Sequence, residues 1–368
     1  MSMKLQTHKW KQIPLGQACS ILSGYAWSSK RFNRSGEGIP IIRIQNVDST
    51  SKEEFVYWNE DYEKRFVIKK GDVLLTLSGS FRVCTWSGPD ALLNQRVVRL
   101  TPNQDIDRRW FLYLMQTLLQ RIELMGKHAL VNNVSLTDLR TIPIPLPPLP
   151  EQRRIAAILD KADAVRRKRQ EAIRLTEQFL RSAFLEMFGD VPAKKSRYSF
   201  GTVRTYVSAH SGKSSKPVLS KDPTGIPVYG GNGINGWATK ALYEEPVIVV
   251  GRVGQQCGIT HFTSGPAWIT DNAIIVRVVD RSRLHPVYLG TAFQHSPIRA
   301  TVERLDLPFI NQSMLLDYPI PLPQLCDQMK YVELRKTNLA HHSNQTKNLK
   351  EADNLFNALV QRAFHGEL

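Results

Sequence analysis

Residues 143–152 read Pro143-Ile144-Pro145-Leu146-Pro147-Pro148-Leu149-Pro150-Glu151-Gln152, and residues 319–328 read Pro319-Ile320-Pro321-Leu322-Pro323-Gln324-Leu325-Cys326-Asp327-Gln328. Seven of the ten positions are identical, and Asp327 matches Glu151. Alternating proline excludes helix and central strand, so each copy is a stiff extended strap. Pro150 falls where a helix can begin, with Glu151 in the first turn complementing its dipole.

The surroundings repeat as well. A polar-apolar lead precedes each strap, Val131-Asn132-Asn133-Val134-Ser135-Leu136 in one case and Phe309-Ile310-Asn311-Gln312-Ser313-Met314 in the other. A long segment almost free of Gly and Pro follows each strap, ending in Arg181-Ser182-Ala183-Phe184 and Gln361-Arg362-Ala363-Phe364. Upstream, Gly38-Ile39-Pro40-Ile41 matches Gly225-Ile226-Pro227-Val228. The chain therefore runs globular region, strap, long helix, twice over. The boundaries expected are 1–142, 143–190, 191–318 and 319–368.

The first long helix, about 151–188, carries Ile155, Ile158, Leu159, Ala162, Val165, Ile173, Phe179, Leu180, Ala183 and Met187 at helical spacing, broken by Arg166-Arg167-Lys168-Arg169. The second, about 327–364, is more polar, with Leu339, Thr346, Leu349, Phe356 and Ala363. Neither buries its stripe alone, and packing on each other as a coiled coil is the economical solution. Each helix would span roughly 50 Å. Both globular regions have a mixed α/β pattern. Strands are expected at Ile39–Ile44, Asp72–Leu77 and Arg96–Leu100, then at Ile226–Tyr229, Val247–Val250, Gly258–Phe262 and Ala273–Val279. Helices are expected at Arg109–Met125 and Pro286–Gln294.

The net charge of +16 raises affinity for polyanions. The excess is spread along the chain, with +7 over 1–142, +5 over 143–198, +3 over 199–318 and +1 over the last fifty residues. That distribution suits a long folded surface facing an extended polyanion. Outside the anchor points the two regions barely match, as Leu77-Ser78-Gly79-Ser80-Phe81-Arg82 against Val250-Gly251-Arg252-Val253-Gly254-Gln255 illustrates. A duplicated scaffold with dissimilar loops suggests two readers of different targets, with neutral drift after duplication as the alternative. Candidate DNA contacts are Lys30, Arg31, Arg34, Arg43, Gln45, Asn46, Ser78 and Arg82, near Tyr25, Trp27 and Trp86. In the second region they are Lys213, Lys216, Tyr229, Asn232, Asn235, Arg252, Gln255 and Gln256. Arg pairs bidentately with guanine, Asn and Gln with adenine, and Lys and Ser reach phosphate.

Catalytic and cofactor motifs fail on context. Gly231-x-Gly233-x-x-Gly236 is followed too soon by the next strand to open a crossover helix. Gly212-Lys213-Ser214 lacks the upstream glycine of a phosphate-binding loop, since Val207 stands there. No acidic-x-Lys triplet, Gly-x-Ser-x-Gly elbow or Asn/Asp-Pro-Pro-Tyr segment occurs. Cys19, Cys84, Cys257 and Cys326 are scattered, which argues against a zinc site or disulfide framework. His341-His342 is expected to be solvated on the second long helix. No apolar run is long enough to span a membrane, and the N-terminus lacks a signal-peptide core, so a cytoplasmic protein is expected.

This organisation, with Pro145-Leu146-Pro147-Pro148-Leu149-Pro150-Glu151-Gln152-Arg153-Arg154-Ile155-Ala156 as its most specific signature, resembles the specificity subunits of type I restriction-modification systems over essentially the whole chain. The second copy departs from it at Cys326-Asp327-Gln328-Met329-Lys330. The resemblance implies an α+β fold with two long antiparallel coiled-coil helices, an internal two-fold pseudo-repeat, and two target-recognition domains each reading half of a bipartite DNA site. It implies two modification subunits using S-adenosylmethionine, docked along the helices, and ATP-dependent restriction subunits with magnesium where the system has them. Expected spacer and docking residues are Glu151, Gln152, Ile155, Leu159, Phe179, Gln328, Leu339, Leu349 and Phe356. The chain itself would be non-catalytic and hold no metal or cofactor. Readers one helical turn apart would be centred ~10 bp from each other. A related system with a fused methyltransferase-nuclease, and a coiled-coil scaffold with no DNA role, remain open alternatives.

Overall fold

A computed structural model describes residues 10–47, 54–127, 134–191, 193, 195–296, 298 and 308–368. Part of the first lead, 131–133, lies outside them. The chain divides into two compact units, one of residues 1–170 with 347–368 and the other of residues 171–346. Each takes part of both long helices, α4 (Leu149–Phe188) and α7 (Leu325–His365).

In the first unit the strands are β1 (Lys11–Pro14), β2 (Cys19–Ser23), β3 (Ile39–Ile42), β4 (Val56–Trp58), β5 (Val67–Ile68), β6 (Val73–Thr76), β7 (Val83–Thr85), β8 (Ala91–Leu93), β9 (Val97–Pro102) and β10 (Pro143–Leu146). Its other helices are α1 (Leu15–Ala18), α2 (Arg108–Lys127) and α3 (Leu136–Thr141). The second unit holds β11 (Phe200–Gly201), β12 (Val207–Ser211), β13 (Leu219–Ser220), β14 (Ile226–Gly230), β15 (Gly233–Ala238), β16 (Ile248–Gly251), β17 (Thr260–Phe262), β18 (Trp268–Ile269), β19 (Ala273–Val278) and β20 (Ile320–Pro321), with α5 (Pro286–His295) and α6 (Gln312–Leu316).

The units share one antiparallel four-stranded sheet, β2-β9-β6-β7 in the first and β12-β19-β16-β17 in the second. A second sheet contains a parallel pair in each case, β3 with β8 and β14 with β18. There the units diverge, for the orders are β4-β3-β8-β5 and β13-β15-β14-β18. Each strap forms a strand, β10 or β20, and pairs antiparallel with one short partner, β1 or β11. Such two-stranded ribbons accommodate proline because only one edge needs donors.

The end of the strap explains the repeat. Gln152 and Gln328 are 1% and 0% exposed. Gln152 Nε2 donates to the carbonyls of Pro147 (2.9 Å) and Asp105 (3.2 Å), and its Oε1 accepts from Asp107 N (2.7 Å). Gln328 Nε2 donates to the carbonyls of Pro323 (2.9 Å) and Arg283 (3.0 Å), and its Oε1 accepts from His285 N (2.8 Å). Asp107 and His285 in turn cap α2 and α5, through Asp107 Oδ1 accepting from Trp110 N (3.1 Å) and His285 Nδ1 from Val287 N (3.1 Å). One amide thus joins strap, long helix and domain helix. Asp327 keeps the place of Glu151, with Lys330 at 2.8 Å where Arg154 stands 2.8 Å from Glu151.

Several expected docking residues are therefore internal. Gln152 and Gln328 are clamps, because a buried amide must satisfy its own donors and acceptor. Ile155, Leu159 and Phe356 lie in the first unit's core with Trp110, Phe111 and Leu114 of α2. Glu151 is half-buried and Leu349 partly so, whereas Phe179 and Leu339 are 49% and 43% exposed.

Within each unit the long helices run antiparallel. In the first, Arg154 donates to the Leu368 carbonyl at 2.6 Å, and Arg166 reaches Asp353 at 3.9 Å while stacking over Phe356. In the second, Phe184 packs edge-on against Tyr331, and His342 meets Glu177 at 3.3 Å in an exposed contact. Both helices also pack on their units' domain helices, as Trp110 on Phe364 and Phe188 on Tyr288 show. The helices begin at Leu149 and Leu325, two residues before the proline and acidic pattern indicated.

Replacing Gln152 or Gln328 with Met strands a buried N–H and two carbonyls, and urea unfolding of the full chain should show a loss of about 2–4 kcal/mol. Burial, reinforced by Arg281, holds His285 below the usual imidazole value, and burial with Arg181 does the same for His295. Below pH ~6.5 the unfolded chain takes up protons that these rings refuse when folded. Their stabilisation is complete above that pH and is lost as pH falls through the folded values. His285→Asn puts a capping oxygen in place of the ring nitrogen and removes the titration, so its melting temperature should drop less between pH 7.5 and 5.5 than the parent's.

Candidate nucleic-acid interface

Part of the candidate set gathers where the two sheets of each unit meet. In the first unit β2 ends at Ser23, and Gly24 N and Tyr25 N then donate to the carbonyls of Val97 and Leu93. In the second, β12 ends at Ser211, and Gly212 N and Lys213 N donate to those of Ala273 and Ile269. A Cβ at Gly24 would stand 2.3 Å from the Leu93 and Asn94 oxygens, and one at Gly212 would stand 2.1 Å from the Thr270 oxygen. Only glycine admits this crossing. The Ser-Gly pair thus recurs for a structural reason, and comparing Leu22-Ser23-Gly24 with His210-Ser211-Gly212 would have revealed it.

In the first unit this edge includes exposed Tyr25, Gln95 and Arg82, with half-buried Ser78 and Arg43. The Thr76 hydroxyl closes the loop before Arg82 by donating to the Ser80 carbonyl and accepting from Arg82 N, both at 2.8 Å. Arg43 follows the parallel register Ile42–Leu93, which brings it to the same end as Asn94. Its Nη2 donates to the Glu54 carbonyl at 3.0 Å, and Gln45 beside it is exposed. Lys30 and Arg31 lie on a neighbouring exposed turn, Arg31 paired to Glu60 at 2.6 Å. Arg34 is exposed farther along.

Asn46 is a correction. It is 4% exposed and accepts from Arg43 N and Nε, at 3.2 and 3.4 Å, so it holds the turn that carries Arg43. Trp27 and Trp86 are likewise core residues, donating to the carbonyls of Leu93 and Pro89.

In the second unit the edge joins Ser211–Lys213, the turn at Gly231-Asn232, the loop Gly251–Gln256 and the turn at Thr270–Asn272. A Cβ at Gly231 would approach Gly251, Gln256 and Asn272 within 3.6 Å. Lys213, Asn232, Asn235 and Gln255 are exposed, and Arg252 and Gln256 half-buried. Lys216 is exposed on a separate short helical turn. Tyr229 is the second correction. At 7% exposure it packs with Val249, Ile269 and Ile275, because β14 turns that side chain inward. Gln312 and Asn272, not foreseen from sequence, border this edge through hydrogen bonds to Ser211 and Arg252 N.

Among the described residues no group of three or more His, Cys, Asp or Glu is placed to hold a metal. No described helix is long and apolar enough to cross a membrane.

The model of the type I restriction modification DNA specificity domain matches residues 7–175. The type I restriction enzyme EcoBI specificity subunit of Escherichia coli is 30% identical over 154 residues, covering 41% of this chain and 32% of that protein. The putative type I restriction enzyme MjaX specificity subunit of Methanocaldococcus jannaschii is 25% identical over 178 residues, covering 45% and 40%. The chain thus spans about a third to two fifths of the length of these curated relatives in alignment. The crystal structure of the S subunit of a type I restriction-modification system from M. genitalium aligns over 98% of both chains, with a TM-score of 0.62 and 16% identity, which establishes a common fold. Residues 7–175 therefore match the type I restriction modification DNA specificity domain, and the chain shares the fold of the M. genitalium S subunit.

Proposed function

We propose that this chain is the DNA-reading subunit of a type I restriction-modification complex. Residues 1–142 and 191–318 are its two recognition domains, each contacting one half of a bipartite, asymmetric site in double-stranded DNA. Residues 143–190 and 319–368 are the straps and spacer helices. The observation that carries this reading is the repeated edge, in which the same backbone crossing at Ser23-Gly24 and Ser211-Gly212 is bordered by different polar side chains. A duplicated frame with unlike contacts suits two unlike half-sites. The readers are Lys30, Arg31, Arg43, Gln45, Ser78 and Arg82 in one half, and Lys213, Lys216, Asn232, Asn235, Arg252, Gln255 and Gln256 in the other. Arg and the amides address base edges, and Lys the phosphates.

Modification subunits dock along the helices, and the exposed Phe179 and Leu339 offer apolar surface for them. Those partners bind S-adenosylmethionine and transfer the methyl group, and restriction subunits, where present, use ATP and magnesium. The present chain supplies the address.

Exchange of residues 199–318 for the corresponding region of another such chain should change one half of the methylated motif and leave the other intact, as read by single-molecule methylome sequencing. Both halves changing together would defeat the two-reader assignment. Insertion of one helical turn into both α4 and α7 should alter the unread gap and neither half-site, and an unchanged gap would remove the helices as the ruler.

A further inference from the structure

One backbone slot at the interface is filled by chemically opposite side chains in the two units. In the first unit Leu77 follows β6. Its N–H donates to the Arg96 carbonyl at 2.9 Å, and its carbonyl accepts from Val134 N at 3.1 Å. In the second, Arg252 follows β16, donating to the Asn272 carbonyl at 3.0 Å and accepting from Ile310 N at 2.8 Å. Thr76 pairs with Val97 just as Gly251 pairs with Ala273, so the register agrees. Leu77 and Arg252 therefore occupy the same position.

Their neighbours change in step. Two residues beyond Val134 is Leu136, and two beyond Ile310 is Gln312. Leu77 is 5% exposed, and Leu136 packs against the same apolar cluster. Gln312 instead donates Nε2 to Ser211 Oγ at 2.9 Å, and Arg252 Nη1 approaches that oxygen at 3.4 Å. Ser211 is the residue equivalent to Ser23, so the serine is common and the pair around it has switched from Leu/Leu to Arg/Gln.

The electrostatics of the switch favour an external partner. Among the described residues Arg252 has no ion pair, and its guanidinium makes no other hydrogen bond. Among the described residues the groups that touch its guanidinium are neutral, and they engage one of its N–H donors. Leu77 seals its slot at 5% exposure, whereas Arg252 is half-buried and its contact to Ser211 lies at the surface, so the slot that is closed in the first unit is open to a partner in the second. A planar fork held at one end, on an edge with exposed Lys213, Asn232 and Gln255, suits the O6/N7 face of guanine.

We propose that Arg252 determines specificity for a guanine in the half-site read by the second unit, with Ser211 and Gln312 as its positioning residues, and that Leu77 leaves the equivalent slot of the first unit without a base contact. This rests on the DNA-reading function proposed above. It names which of the candidate side chains decides a base and which structural pair tells the two readers apart.

The test is methylome sequencing of cells carrying the full chain and the modification subunits of its host, with melting temperatures of the purified variants. The wild type should give a two-part motif with an obligatory guanine in one half. Arg252→Leu, which copies Leu77, should reduce preference for that guanine about 10- to 100-fold, leaving the other half-site unchanged. Arg252→Lys keeps the charge but not the planar two-donor fork, so it should weaken the guanine preference less than Arg252→Leu does, whereas a phosphate contact would leave the motif unchanged in both. Gln312→Leu and Ser211→Ala should each relax the same motif position several-fold with the melting temperature held, and Ser211→Thr, which keeps a hydroxyl, should restore it. An unchanged motif in Arg252→Leu, or a change in both half-sites, would overturn the assignment of Arg252. Wild-type preference in both Gln312→Leu and Ser211→Ala would overturn the positioning roles. A wild type with no two-part motif removes the DNA-reading function itself, and this proposal with it.

Discussion

The carboxamide at the end of each strap is the constraint on which the rest of the molecule depends. A glutamine with less than 2% exposure must spend both donors and its acceptor within the protein, and Gln152 and Gln328 do so on matching sets of groups. Each joins the strap carbonyl behind it to the loop before a domain helix and to the N–H of that helix's capping residue. The long helix therefore leaves the strap at a set angle to the domain helix on which it packs. Apolar burial alone would tolerate rotation of α4 or α7 about its axis, whereas three directional bonds do not.

From that anchor outward the units are alike in their first sheet and unlike in their second. The strands β2, β9, β6 and β7 have full counterparts, and their central strands β6 and β16 are buried along their whole length, where a register slip would displace core residues. The second sheet retains the parallel pair and then adds strands at different places, β5 beyond β8 in one unit and β13 beyond β15 in the other. Variation in the strands thus falls at the margins of the second sheet. A scaffold of this form can change what it contacts without changing how it folds, which suits the DNA-reading function proposed above. The switch from Leu77 and Leu136 to Arg252 and Gln312 is one such change at unaltered backbone.

Much of the architecture was legible in the sequence because its carriers are rare. Alternating proline has few conformational outcomes, and a forty-residue stretch without Gly or Pro has one. The strands at Val73–Thr76, Ile248–Gly251 and Ala273–Val278 followed from β-branched runs between turns. The site was legible as a set of loops and less so as individual side chains. Asn46 and Tyr229 have the residue types of base contacts, yet a capping bond and an inward-facing strand position bury them. Gln312 escaped notice because its partner Ser211 is 101 residues away.

The sequence by itself determined the duplication, the stiffness of the straps, the extent of the long helices and the dissimilarity of the loops, since each follows from local covalent and conformational preference. The tertiary structure alone decided which polar residues remain outside. It turned Gln152 and Gln328 from surface candidates into buried clamps, and placed Ile155, Leu159 and Phe356 in the first unit's own core. It also brought Arg252, Ser211 and Gln312 to one point. Burial and hydrogen-bond satisfaction are properties of neighbours distant in the chain, and no local pattern encodes them.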